Sequence, residues 1–268
     1  MVSKKKTAKK AFALFTTPLF KTKKKREPFK AERRQFDLVL PNKPGARPVR
    51  ISGYCWPHPQ PLKRVLLLHG FGSAAYKFEM YAAPLVKKGY EVLAFDAPAH
   101  GDSEGKTTNA VEYSALVKRV IELYGPVQGF VGHSFGGLAI SLAMETLPHD
   151  ADTKIVLIAP ATETTTAIDQ AFSLLKLKDP EVRAHFDQLI VEIGGLPPEW
   201  YSIRRAMQNI KARVLWVHDE EDTVTPLSDA LRVKEDGYNN ISFLITRGLG
   251  HQKIYKDTDV KKQVVNFL

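Results

Sequence analysis

Within the stretch VGHSFGGLAI, residues 131–140, a serine hydroxyl stands among Gly132, Gly136 and Gly137. Gly132-His133-Ser134-Phe135-Gly136 fits G-x-S-x-G, a pattern that carries weight where a strand runs into it and a helix leaves it. Here QGFVGHS precedes the serine and LAISLAMETL follows the glycines. A turn that sharp strains the serine backbone and leaves no room for side chains at the flanking positions, which the glycines provide. The chemistry on offer is nucleophilic attack on a carbonyl, and it needs a base to take the hydroxyl proton. His133 is adjacent to Ser134. Successive strand residues face opposite ways, so its ring is expected beneath the turn rather than beside the hydroxyl.

The elements that would hold this serine are legible as short apolar runs alternating with helical stretches, the βαβ pattern of a parallel sheet. RVLLLHG (64–70), EVLAFDA (91–97), QGFVGHS (128–134), TKIVLIAP (153–160), ARVLWVHD (212–219) and NISFLITRG (240–248) are nearly continuous apolar runs. Strands buried on both faces have that character. QFDLVLP and VRISGYCW alternate more and flank NKPGARP, which predicts an antiparallel hairpin at the sheet edge and brings the count to eight strands. Residues 161–211 are too long for one crossover and too apolar for a disordered loop. They are expected to form helices at roughly 163–177, 180–193 and 199–208, broken at Asp179-Pro180 and at Gly194 to Pro198. That gives a small helical cap over one end of the sheet.

With the serine turn placed between strand and helix, the chain resembles the α/β-hydrolase fold family from about residue 36 to its C-terminus. The resemblance implies a mostly parallel eight-stranded sheet with helices on both faces, and a triad in the order nucleophile, acid, histidine. It assigns the base to His251 in TRGLGHQKI, after the last predicted strand. HDEEDTVTP, residues 218–226, resembles the family's G-x-x-D-x-V-x-P loop and aligns Asp222 with the acid, with Asp219 and Glu221 as alternatives. Oxyanion donors are implied at the backbone amides of Phe135 and Phe71, the latter in His69-Gly70-Phe71-Gly72, which resembles H-G-x-G. Both phenylalanines would also contact substrate. Asp96 to Ser103 resembles D-x-x-G-H-G-x-S with Ala99 in place of glycine, a loop that shapes the site without doing chemistry.

The implied activity is hydrolysis of a small-molecule ester through an acyl-enzyme. Thioester and carbon–carbon bond hydrolysis, haloperoxidation and a non-catalytic binding role remain open on the same fold. Phe172, Leu174, Leu175, Phe186, Ile190, Ile193, Trp200 and Tyr201 in the cap imply an apolar acyl or alcohol pocket, while each of them individually is read first as packing the cap onto the domain. No metal-ligand spacing, G-x-G-x-x-G or Walker pattern occurs, so no metal and no cofactor is expected.

At 268 residues one α/β domain or two small ones are admissible, and the reading is a basic arm over 1–34 and one domain over 35–268. The net charge of +10 belongs to the arm, where 13 Lys and Arg face two Glu. The remaining 26 Lys and Arg face 27 Asp and Glu, so no nucleic-acid partner is expected. The arm's apolar stretch AFALFTTPLF is followed by lysines rather than a cleavage site, and Pro18 would interrupt a helix through it. It is read as a solvated arm whose Phe and Leu side chains pack on the domain, with peripheral contact to an anionic membrane as the alternative. The single cysteine, Cys55, and the absence of an apolar run long enough for a membrane helix fit a cytoplasmic chain.

Overall fold

The computed structural model describes residues 3–19, 22, 27–41 and 45–268. Lys21 and Lys23 to Arg26 of the expected arm, and Asn42 to Pro44 of the expected hairpin turn, lie outside the described residues. In chain order the principal elements are α1 (Lys4–Thr16), β1 (Glu32–Leu38), β2 (Val49–Trp56), β3 (Lys63–Leu68), α2 (Glu79–Lys87), β4 (Tyr90–Phe95), α3 (Ala110–Tyr124), β5 (Gly129–His133) and α4 (Phe135–Met144). They continue as β6 (Lys154–Ile158), α5 (Thr164–Leu174), α6 (Pro180–Gly194), α7 (Ile203–Ala206), β7 (Arg213–Asp219), α8 (Leu227–Glu235), β8 (Ile241–Thr246), α9 (Gly250–Lys253) and α10 (Thr258–Phe267). No described helix is long and apolar enough to cross a membrane.

All eight predicted strands form one sheet in the order β1-β2-β4-β3-β5-β6-β7-β8. The five pairings from β4 through β3, β5, β6 and β7 to β8 are parallel, while β1–β2 and β2–β4 are antiparallel. Alternation splits each strand between two cores. Leu66 and Leu68 of β3 face the layer with α3, α4 and α8, whereas Val65 and Leu67 face the layer with α2 and α10. α4 is buried along nearly its whole length, which is why its sequence is apolar all round rather than on one stripe.

Two strand expectations need correction. β8 is only partly buried, because it is an edge strand with one neighbour, although its apolar run reads like a central strand. β1 starts at Glu32, not at Gln35, because β2 extends to Trp56 and pairs Glu32 with Cys55. Backbone pairing recruits charged residues into an edge strand that apolar patterning does not mark.

The insertion between β6 and β7 is helical as expected. α6 begins at Pro180 behind the Asp179 cap, whose carboxylate accepts from the Glu181 amide at 2.9 Å, and ends at Gly195 in the left-handed region. The N-terminal segment is helical, which was not expected of it, while Phe12 and Phe15 pack on the domain as expected. Residues Lys4–Thr16 are a helix that buries Ala8 and Ala11 against α5 and α6, and the rings of Phe12 and Phe15 meet Phe186 edge-on at 5.5 and 5.6 Å. The packing side holds residues 8, 11, 12 and 15, the one-face spacing of a docked helix. Leu14 and Leu19, expected to pack, are exposed. The break at Pro18 is where expected, with Thr17 already extended.

Candidate active site

The serine turn sits at the C-terminal end of β5, in the middle of the sheet. Ser134 has φ 52° and ψ −119°, a left-handed conformation that costs on the order of 1–3 kcal/mol outside glycine. Close packing enforces it: a Cβ on Gly132 would lie 2.6 Å from the Gly137 nitrogen, and one on Gly136 would lie 2.5 Å from the Leu68 carbonyl oxygen. The Ser134 amide donates to the Ile158 carbonyl at 3.0 Å, tying the turn to the end of β6.

Asp222 and His251 meet as the sequence order implies. Their loops follow β7 and β8, and Asp222 Oδ2 lies 2.8 Å from His251 Nδ1. Burial pushes the Asp222 carboxyl up, but its hydrogen bonds with His251 and with the Thr225 and Val224 amides outweigh that and hold it below the usual carboxylate range. Asp219, an alternative acid, does not reach His251. Its Oδ1 accepts from the Gly250 and Glu221 amides and its Oδ2 from Thr246 Oγ1 and the Leu249 amide, so it grips the loop that carries the histidine. Glu221, the other alternative, has an exposed side chain.

Ser134 Oγ forms no hydrogen bond to the imidazole; contacts of this kind commonly tighten only around a bound substrate. The histidine's place beside the serine turn is set by His133. That ring lies under the turn, as expected, and its Nε2 donates to the His251 carbonyl oxygen at 2.9 Å. Phe71 and Phe135 are also brought together, their rings edge-on at 5.9 Å, and a Cβ on Gly70 would come within 3.0 Å of Ser134 Cβ. Among the described residues neither phenylalanine's amide has a protein acceptor, which leaves both free to serve an oxyanion.

The loop with Ala99 braces this arrangement. His100 Nε2 accepts from the Gly72 amide at 2.9 Å, and Asp96 Oδ1 accepts from the Ala75 amide at 2.7 Å. Ala99 adopts φ 67° at the position where glycine is usual, so the substitution leaves the turn in place.

Sequence reasoning missed the contributions of four residues. Thr225 Oγ1 lies 2.9 Å from Asp222 Oδ2, 3.1 Å from His251 Nδ1 and 3.1 Å from the Ala159 carbonyl oxygen, packing the acid–histidine contact from the side. Buried His218 donates Nε2–H to the Thr225 carbonyl at 2.7 Å and holds that residue in place. Phe12 and Phe15 reach the same cavity as Ser134 from α1. Their spacing with Ala8 and Ala11 was the available signal, hidden by the surrounding lysines.

Ser134 opens into a cavity of about 420 Å³, small for a ligand pocket. Among the described residues no charged side chain lines it. Of the eight cap residues expected to form a pocket, Leu174, Ile190, Ile193 and Tyr201 line it. Phe172 and Phe186 are buried against α1, in line with the packing reading, Leu175 is exposed, and Trp200 stacks under the Arg205 guanidinium.

Three histidines near the site, His69, His133 and His218, are buried and held neutral. Burial pushes His133 down to about 3, His69 well below its ordinary value and His218 downward. The unfolded chain binds protons at these residues from about pH 6.5 downward while the native state does not. Stability therefore falls as pH drops from 6.5 toward 3, by about 1.4 kcal/mol per pH unit for His133, and His69 and His218 act in the same direction. Asp96 acts the other way: burial raises its carboxyl to about 6, so it binds a proton sooner in the native state and offsets part of the loss below that pH. The expected result is a His133→Gln variant whose urea-unfolding free energy falls less between pH 7 and pH 5 than that of the parent, by about 2 kcal/mol. Equal losses in the two proteins would show that His133 is not held neutral.

The comparisons with known proteins bear on the family and the fold. The chain belongs to the Alpha/beta hydrolase family, whose family model matches residues 65–246, more than half of the chain. It is 35% identical over 98 residues to the uncharacterized hydrolase YugF of Bacillus subtilis, 35% of each chain. It is 25% identical over 180 residues to a serine hydrolase-like protein of Dictyostelium discoideum, 64% of this chain and 47% of that one. The matches thus span less than half of either relative. The Pyrococcus furiosus esterase Pf2001 has the same fold, with a TM-score of 0.68, 19% identity and coverage of 94% of this chain and 97% of that one.

Proposed function

We propose that this hydrolase is a serine carboxylesterase acting on an uncharged, apolar ester through an acyl-enzyme. The observation that carries the reading is the 2.8 Å contact of Asp222 with His251, set beside a strained serine that opens into an uncharged apolar cavity. Ser134 Oγ attacks the ester carbonyl carbon while His251 Nε2 takes its proton, and the negative oxygen is received by the Phe71 and Phe135 amides. The tetrahedral adduct collapses, and the alcohol leaves with the proton from His251. Water, deprotonated by the same nitrogen, then attacks the acyl carbonyl and releases the acid and Ser134. Asp222 keeps the histidine proton on Nδ1 so that Nε2 stays free to accept.

A fluorophosphonate probe tests the nucleophile directly, because only an activated serine reacts with it. The expected result is one phosphonyl adduct, mapped to Ser134 by peptide mass spectrometry. A folded protein that takes up no label would favour a binding module over an enzyme.

A further inference from the structure

Helix α1 lies outside the stretch that matches the family, which begins at residue 65, yet it supplies part of the cavity wall. Phe12, Phe15 and Thr16 line the same space as Ser134, Phe71 and Leu174. Left to itself this helix is poor. It has thirteen residues, Lys4 to Lys6 occupy the first turn where the helix dipole disfavours cations, and Ser3 supplies no side-chain cap. Docking holds it in place at three points. Lys4 Nζ reaches Glu181 at 2.7 Å and Asp179 at 3.2 Å at the start of α6, and the Phe12 and Phe15 rings lie edge-on to Phe186. At the other end the Thr108 amide donates to the Thr16 carbonyl at 2.9 Å, joining α1 to the loop before α3. The wall is therefore fixed at both ends and presents two aromatic rings to the substrate space.

From this geometry we infer that Phe12 and Phe15 are specificity-determining residues: they bound the room for the apolar chain of the substrate and restrict the enzyme to short and medium chains. The inference rests on the esterase reading. The lining carries no charged side chain and is mostly apolar, with a few uncharged hydroxyl and amide groups such as those of Thr108, Asn109 and Gln170, so the length limit on an apolar chain is steric, and each excluded methylene is worth about tenfold or more in discrimination. The chain that meets α1 belongs to either the acyl or the alcohol side of the ester, and the two sources are separable by experiment.

Two substrate series are measured on the full-length protein: p-nitrophenyl esters with acyl chains from acetyl to dodecanoyl, and acetate esters of alcohols of the same lengths. Phe15→Leu and Phe12→Leu are expected to raise the ratio of kcat/KM for the longest over the shortest member about tenfold in one series, and Phe15→Trp is expected to lower it. The opposite signs protect the result from a variant that merely folds less well. The acetyl substrate serves as the control: hydrolysis of it by all variants shows that the esterase chemistry is intact. If acetyl ester is hydrolysed and neither series shifts in any variant, α1 does not set chain length. If no ester is hydrolysed at all, the esterase reading fails first.

Discussion

Replacing Ser134 with alanine is expected to lower kcat on p-nitrophenyl acetate by about 10⁴- to 10⁶-fold with little change in KM. On the proposed mechanism the hydroxyl oxygen forms the covalent bond, and among the described residues no other serine stands on a strained turn with the Asp222–His251 pair beside it. What survives is the contribution of the Phe71 and Phe135 amides and of binding, on the order of 10³- to 10⁴-fold over water. Folding is not the explanation for such a loss, because Ser134 Oγ supports no hydrogen bond that the native state needs. Ser134→Gly sharpens the point. Glycine occupies φ 52° without a Cβ penalty, so that variant is expected to be as inactive yet more stable, by up to about 1 kcal/mol in urea unfolding. Full activity in Ser134→Ala would place the nucleophile elsewhere.

The strand framework was legible because parallel strands buried on both faces must be apolar throughout, and β3, β5, β6 and β7 are. Ser134 was legible through loop chemistry, in glycines where a Cβ would collide, whereas Asp222 and His251 were legible through the resemblance of the loops after β7 and β8 to those of the family. Thr225 was not. Its hydroxyl acts through three partners at positions 159, 222 and 251, and no local pattern encodes a contact across the sheet. The edge strands were read imperfectly, since β1 and β8 are fixed by backbone pairing on one side rather than by burial.

Helix α1 escaped for a different reason. Charge dominates its composition, and charge describes the solvent face: Lys5, Lys6, Lys9 and Lys10 are exposed while Ala8, Ala11, Phe12 and Phe15 face α5 and α6. The phenylalanines were expected to pack, but four packing residues among five lysines do not mark the helix or the cap surface that receives it. The arm and the cap are thus one packed unit, and the small cavity is a product of both.

Asp222→Asn and Asp219→Asn separate the two buried carboxylates that the sequence left in competition. In Asp222→Asn the amide oxygen can keep the Val224 and Thr225 amides that Oδ1 now accepts at 2.8 Å each, which turns the amide nitrogen toward His251. A donor there forces Nδ1 to accept and moves the imidazole proton to Nε2, the nitrogen that must take the serine proton. The expected cost is on the order of 10⁴-fold in kcat. Stability at pH 7 falls as well, because Asp222 is held below the usual carboxylate range. The parent should itself lose that stabilisation as pH drops through the native carboxyl's range, since a depressed pKa stabilises only above it. Asp219→Asn disturbs four hydrogen bonds that fasten residues 246, 249 and 250, and costs stability on the order of 2–4 kcal/mol. Its kcat is expected to fall far less, under about 100-fold, because the His251 tautomer is untouched. Steady-state kinetics and urea unfolding on the two variants decide the matter. A larger kcat loss in Asp219→Asn than in Asp222→Asn would transfer the role of the acid, and the 2.8 Å contact at His251 would then be a packing feature only.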